Sequence, residues 1–448
     1  MVRKRKASLI QGPVGLGLLK LTLPMIVGIF SIVAFNLADT YFVARLGTIE
    51  LAAMSFTFPV VILINSIALG LGVGTSSVVS RAIGEGDSDK VRRLATHSLI
   101  LGVLVVAVFV ITGIFSIEWV FSLMGATKEV MPLIKRYMTI WYIGMIFVVV
   151  PMVGNNAIRA TGDTKYPSLI MAISAGINVV LDPILIFGLF GFPRLEIAGA
   201  ALATVIARSV SMTVSLLILH FRERMLEFSI PHWGQIISSW KKVLYVGLPT
   251  ALTNILLPLS LGVLTRIAAG FGAKAVAAVG AGMRIEAFAI IVIRALCVSL
   301  IPFIGQNWGA KNFKRVHKAT LYSQIFSVLW GGVCVLAFFI LAPFIAGLFS
   351  NDPLVAHYII LYLWIVPFGY GLYGISLVTD SVFNAINKPM VSWFLNIVRM
   401  FGLFVPLCLI GAHLYKMKGL LGGVCAANMI SGFISFLWIQ SFLRRKKS

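Results

Sequence analysis

The stretch TLPMIVGIFSIVAFNLADTYFVA, residues 22–44, carries a single charged side chain, Asp39. Wound as a helix it covers roughly 30 Å, the hydrocarbon thickness of a bilayer. An ionised carboxyl at that depth costs about 3 kcal/mol or more, so an acid kept there points to function. The rest of the chain follows the same pattern: 59% of residues are hydrophobic, 12% are charged, and the mean hydropathy is +0.99. That balance excludes a soluble globular fold. Twelve apolar segments begin near residues 17, 53, 94, 133, 166, 196, 244, 280, 320, 357, 390 and 419. Their runs are continuous, whereas the strands of a barrel would alternate over about ten residues. The expected fold class is an all-α membrane protein with twelve transmembrane helices.

The net charge of +22 does not point to nucleic acid, because the basic residues segregate by face. Alternate loops give one face Arg3 to Lys6, Arg81, Lys90, Arg92, Arg93, Arg159, Lys165, Arg222, Arg224, Lys241 and Lys242, then Lys311, Lys314, Arg315, Lys318, Lys388 and Arg444 to Lys447. The other face holds only Arg45, Lys128, Arg194, Lys274, Lys416 and Lys418. The positive-inside rule then predicts a multi-pass plasma-membrane protein, in the inner membrane if the cell is bacterial, with both termini cytoplasmic. The lipid bilayer is the expected partner of the basic face. The first apolar run is too long for a signal peptide core and is read as a span. Cys297, Cys334, Cys408 and Cys425 lie in apolar segments as small hydrophobes, the six histidines form no ligand pattern, and no cofactor is expected.

Placing residue 225 + i opposite residue i reveals a duplication. Leu23-Pro24 meets Leu248-Pro249, Gly47 meets Gly272, Gly84 meets Gly309, Lys90 meets Arg315, Tyr137 meets Tyr362 and Gly144 meets Gly369. Later, Gly199 and Ala203 resemble Gly423 and Ala427 at an offset of 224. The chain is thus read as two pseudo-symmetric six-helix lobes: residues 1–220 with helices 1–6, a basic amphipathic linker at 221–243, and residues 244–448 with helices 7–12. Six is even, so the repeats run parallel, a known transporter plan with substrate expected between the halves.

The acids break that symmetry. Asp39 stands opposite Leu264, and Asp182 in GINVVLDPILIF has Phe404 near its counterpart. Asn178 and Asp182 lie one turn apart on one helix face. Counting inward from the outer ends near Gly47 and Gly191 puts Asp39 and Asp182 at one level, and Thr204 in AGAALAT reaches it from the next segment. Two carboxylates in a shared low-dielectric space cannot both ionise cheaply, so such a pair suits taking up and releasing a cation. Asn178 and Thr204 add neutral oxygens, so the set could hold H⁺ or Na⁺. Pro24, about four turns toward the cytoplasm, removes a backbone hydrogen bond and permits a bend.

These residues resemble the multidrug and toxic compound extrusion (MATE) transporters over essentially the whole chain. The resemblance rests on LPMIVG and FNLADTYFVARLG, RAIGEGD, NNAIRATGDTKYP, NVVLDP and AGAALAT. It implies a V-shaped pair of six-helix lobes and a secondary transporter, not an enzyme, that exports cationic drugs or lipophilic small molecules in exchange for H⁺ or Na⁺. In the DinF-like branch the cation site matches Asp39, Asn178, Asp182 and Thr204, and a bending proline matches Pro24. The glutamate that the NorM-like branch carries in segment 7 is missing from LPTALTNILLPLSLGVL.

Asn36, Glu286, Arg284 and Asp380 are further candidates for substrate contact or a secondary role. Asp380 is read as a solvated helix terminus, Glu286 as pairing with Arg266 or Arg284, and Arg208, Arg294 and Arg399 as snorkelling or paired. A monomer is expected. The competing reading, a flippase for a lipid-linked precursor of the same superfamily, would need basic groups to hold pyrophosphate. No nucleophile with its base, metal cluster or GxxxxGK[ST] loop occurs, which argues against an enzyme or an ATPase.

Overall fold

The computed structural model describes residues 7–227 and 232–445, and among these all regular structure is helical. The basic ends Arg3 to Lys6 and Lys446 with Lys447 lie outside the described residues, as do 228–231 of the linker. The first half holds α1 (Val14–Ala44), α2 (Thr48–Glu85), α3 (Ser88–Leu123), α4 (Met131–Gly144), α5 (Ile146–Ala160), α6 (Lys165–Phe187) and α7 (Ile197–Leu217). The second holds α8 (Trp233–Ala269), α9 (Ala273–Gly309), α10 (Phe313–Phe349), α11 (Pro353–Ile365), α12 (Tyr370–Ala385), α13 (Pro389–Ile397) and α14 (Val405–Arg445). The pairs α4–α5 and α11–α12 each make one crossing, the second bent by a short 3₁₀ turn at Val366–Gly369 that contains Pro367.

Eleven helical stretches are long and apolar enough to span a bilayer, the last running 57 residues from Pro389 to Arg445. That stretch is two crossings. At Lys416 the backbone takes φ 51°, ψ −133° and reverses the chain. The two arms then pack so closely that a methyl group on Gly419 would strike the carbonyl of Gly411, and one on Gly423 the carbonyl of Leu407. Only glycine permits such an approach. Glu196 has nearly the same conformation, φ 53°, ψ −130°, before α7, and Gly199 meets the carbonyl of Leu185. The matching reversals pair Glu196 with Lys416, and so Gly199 with Gly419, rather than with Gly423 as sequence matching suggests. Elsewhere the register of 225 holds in the backbone: the left-handed residues Gly86 and Gly162 correspond to Lys311 (φ 57°) and Asn387 (φ 63°).

The chain divides into two units, one of Met1–Ser8 with Leu23–Ala251 and one of Leu9–Thr22 with Leu252–Ser448. The boundaries thus fall inside α1 and α8 and not in the 221–243 linker. In the second unit, Arg315 donates to the carbonyls of Leu9, Gln11 and Gly12, which holds the chain leading into α1. In the first unit, Gly70 and Gly74 of α2 let α8 approach at Gly247 and Val243. The linker is more ordered than its composition implies. Its half from Trp233 onward is the opening of α8, and it docks on α3 through Trp240 Nε1 donating to the His97 carbonyl and a 2.9 Å bond between His97 Nδ1 and Ser239 Oγ.

Candidate functional site

The site is built where α1, α6 and α7 of the first unit converge. Ala200, Ala203 and Ala207 are buried on α7, and these small residues bring α6 close enough for Ser174 Oγ to donate to the Ala207 carbonyl at 2.9 Å. One turn further along α6, Asn178 lies against Thr204. With the amide oriented to satisfy both its ends, Asn178 Nδ2 donates to Asp182 Oδ2 at 2.8 Å and Oδ1 accepts from the Thr204 backbone N–H at 3.2 Å. Val43, Ile186 and Ala200 form one apolar cluster at the ends of the three helices near Ala44, Phe187 and Ile197.

Asp39, Asn178 and Asp182 are 7%, 1% and 0% exposed, so none of them points into lipid. Asp39 faces Asp182 within electrostatic reach. Its Oδ1 is buried and has no hydrogen-bond partner among the described residues. A buried carboxylate oxygen left bare costs about 1–3 kcal/mol or more, which a proton or a cation would relieve. Tyr137 of α4, buried, lies within reach of both carboxylates. The four residues that sequence depth placed at one level, Asp39, Asn178, Asp182 and Thr204, are therefore brought together. Asn36 is not among them: it is exposed, and its carbonyl accepts from Thr40 Oγ1 at 2.9 Å. α1 runs unbroken through Pro24.

The second unit treats its acids differently. Glu286 accepts a 2.5 Å hydrogen bond from Tyr362 and faces Arg294 and Arg399, not Arg266 or Arg284. Asp380 is not a solvated terminus. It sits inside α12 and accepts from Ser392 Oγ at 2.7 Å and Asn396 Nδ2 at 2.8 Å. Arg284 is exposed. Arg399 stacks over the Tyr373 ring at 4.8 Å.

Three residues go beyond the sequence reading. Tyr137 and Tyr362 were visible as a repeat pair, yet only the structure turns both toward acids. Arg208 is the sole charge in the apolar run of α7, the same signal that singled out Asp39. Among the described residues it forms no ion pair and no hydrogen bond, and its only contact of note is the Phe35 ring, 5.6 Å from its guanidinium carbon. Such a ring contact returns about 0.5–2 kcal/mol, against roughly 3 kcal/mol for an arginine in mid-span.

Among the described residues the duplicated helices make twelve crossings, with an ionisable site buried in one half, a plan recognised among membrane transporters. The MatE family model matches residues 24–184 and again 249–410, once in each half. The chain belongs to this family of MATE transporters, and it is a multi-pass membrane transporter rather than an enzyme. It is 39% identical over 437 residues to the FAD transporter of Shewanella oneidensis, covering 98% of this chain and 97% of that one. The multidrug export protein MepA of Staphylococcus aureus is 24% identical over 430 residues, covering 95% and 94%. The Vibrio cholerae MATE transporter VcmN in its bent form superposes with a TM-score of 0.91 at 31% identity, covering 97% and 98%.

Proposed function

We propose that this chain exports a bulky organic solute from the cell by coupling it to the entry of a cation at Asp39 and Asp182, with both termini in the cytoplasm. The observation that carries the coupling is the bare, buried Oδ1 of Asp39 facing a second carboxylate. H⁺ is favoured over Na⁺, because Asn178 turns its NH₂ toward Asp182 and engages its own oxygen with the Thr204 backbone, leaving fewer oxygens for a metal ion. Asn178 and Thr204 hold Asp182 in place, and Pro24 gives α1 a point at which it can bend when the acids change charge.

For the solute, a flavin dinucleotide is the better-supported reading. It rests on the 39% identity to a FAD transporter along nearly the full chain, together with the unpaired Arg208 in the same lobe. Export of cationic or lipophilic drugs is the second reading, supported by relatives such as MepA and by the acidic pair itself. Inverted membrane vesicles separate the two. FAD and ethidium accumulation would be followed while ΔpH and the Na⁺ gradient are varied one at a time. FAD accumulation that follows ΔpH alone is the expected result. Accumulation indifferent to both gradients would rule out cation coupling, and ethidium uptake without FAD uptake would select the drug reading.

A further inference from the structure

Below the cation site a pocket opens between α1, α6 and α7, lined by Ile32, Phe35, Ser174, Asn178, Thr204 and Arg208 among others. The polar residues of the pocket and of the cation site form two ladders. Asp182, Asn178 and Ser174 descend α6 one turn at a time, and Thr204 and Arg208 are one turn apart on α7. The Asn178 bond to Thr204 and the Ser174 bond to the Ala207 carbonyl fix the register between the ladders. Arg208 therefore stands at the level of Ser174, eight residues or roughly 12 Å along α6 from Asp182. The guanidinium lines the pocket, while the carboxyls lie beyond Asn178, outside its lining.

From this we infer that Arg208 makes the pocket selective for solutes bearing a phosphate, seating a phosphate oxygen of a flavin nucleotide against its guanidinium. The inference deepens the flavin reading and rests on it. A planar guanidinium with no carboxylate partner presents its N–H fork to a phosphate, for which that geometry is well matched. The Phe35 ring under the guanidinium holds it in place without neutralising it. The carboxyls two turns away would repel the same anion, so its seat must lie at the Arg208 end. An arginine kept only for packing would instead be expected to meet an acid or a carbonyl, and none does so among the described residues.

The test uses the full chain in proteoliposomes with riboflavin, FMN and FAD, which carry zero, one and two phosphates. Wild type is expected to take up FAD with an apparent affinity at least tenfold better than riboflavin. Arg208→Met should remove that preference, and Arg208→Lys should retain part of it, while ethidium transport stays within twofold in all three. A full FAD preference in Arg208→Met would overturn the inference and leave the flavin reading standing. Equal loss of FAD and ethidium would also overturn it, as the mark of a packing role. If wild type moves none of the three flavins, the flavin reading fails and the inference with it. Should Arg208→Met not fold, competition on wild type decides: ADP should inhibit FAD uptake at least tenfold better than adenosine, and equal inhibition would overturn the inference.

Discussion

The two halves share one repeated pattern and treat the acids within their helices in opposite ways. Tyr137 and Tyr362 occupy equivalent positions, and each faces acid in its own unit. In the first unit Asp39 keeps one oxygen without a partner and Asp182 receives a single side-chain donor. In the second, Glu286 takes the Tyr362 hydroxyl and faces two arginines, and Asp380 takes two donors. An acid whose lone pairs are filled and whose charge is matched gains nothing from a proton. An acid left short does. Under the proposed coupling, this difference would leave ion handling to the first unit and a structural role to the second unit's acids.

The largest expected effect is therefore confined to the first unit. At one H⁺ per solute, two pH units support about a hundredfold accumulation. Asp39→Asn should bring the vesicle accumulation ratio down to about one, whereas Glu286→Gln should leave most of it. The comparison breaks if the two variants exchange outcomes. Asp182→Asn sharpens it: because Asn178 already donates to Asp182, the amide introduces a second donor into that contact, and coupling should fall as with Asp39→Asn.

A middle-sized effect separates the tyrosines. Tyr362→Phe removes a hydrogen bond to a carboxylate and should lower stability by about 1.5–3 kcal/mol, read as a drop in melting temperature in detergent. Tyr137→Phe has no hydrogen bond to either acid to lose among the described residues, so its melting temperature should move by less. Its effect should appear in the pH dependence of transport. Equal destabilisation by the two substitutions would mean that the units treat their acids alike.

How far this asymmetry is legible in the sequence depends on which physical signal each residue gives. Asp39 and Asp182 are legible because charge in an apolar run is costly, and their common depth follows from helix rise alone. Most of the duplication is legible as well, since glycines, a Leu-Pro pair and a tyrosine recur at a fixed offset. The register at Glu196 and Lys416 is not, because the reversal depends on backbone dihedrals that glutamate and lysine do not advertise. The surroundings of Asp380 are hidden for a related reason. Its partners Ser392 and Asn396 come from α13, and no periodicity within α12 points to them. Arg208 gives the same signal as Asp39 but reads as snorkelling or paired, because a long side chain leaves its end point open until the packing is known.

The smallest expected effect lies where α11 and α4 begin, another point at which the halves differ. α4 starts after Val130 with no side-chain cap, while Asp352 caps α11, accepting from the Leu354 and Val355 amides at 2.9 and 3.2 Å. The Lys274 ammonium, 2.7 Å away, and those amides hold the Asp352 carboxyl below its usual range. A carboxyl whose folded pKa lies below its unfolded one stabilises the fold above the unfolded value, and loses that contribution as pH falls through the folded one. Asp352→Ala should therefore melt slightly below wild type at neutral pH, with the gap closing as the pH drops below about 4. The pair is exposed, so salt should narrow the gap too. A gap that persists unchanged in acid would mean that Asp352 acts through packing rather than charge, and that this difference between α11 and α4 is not electrostatic.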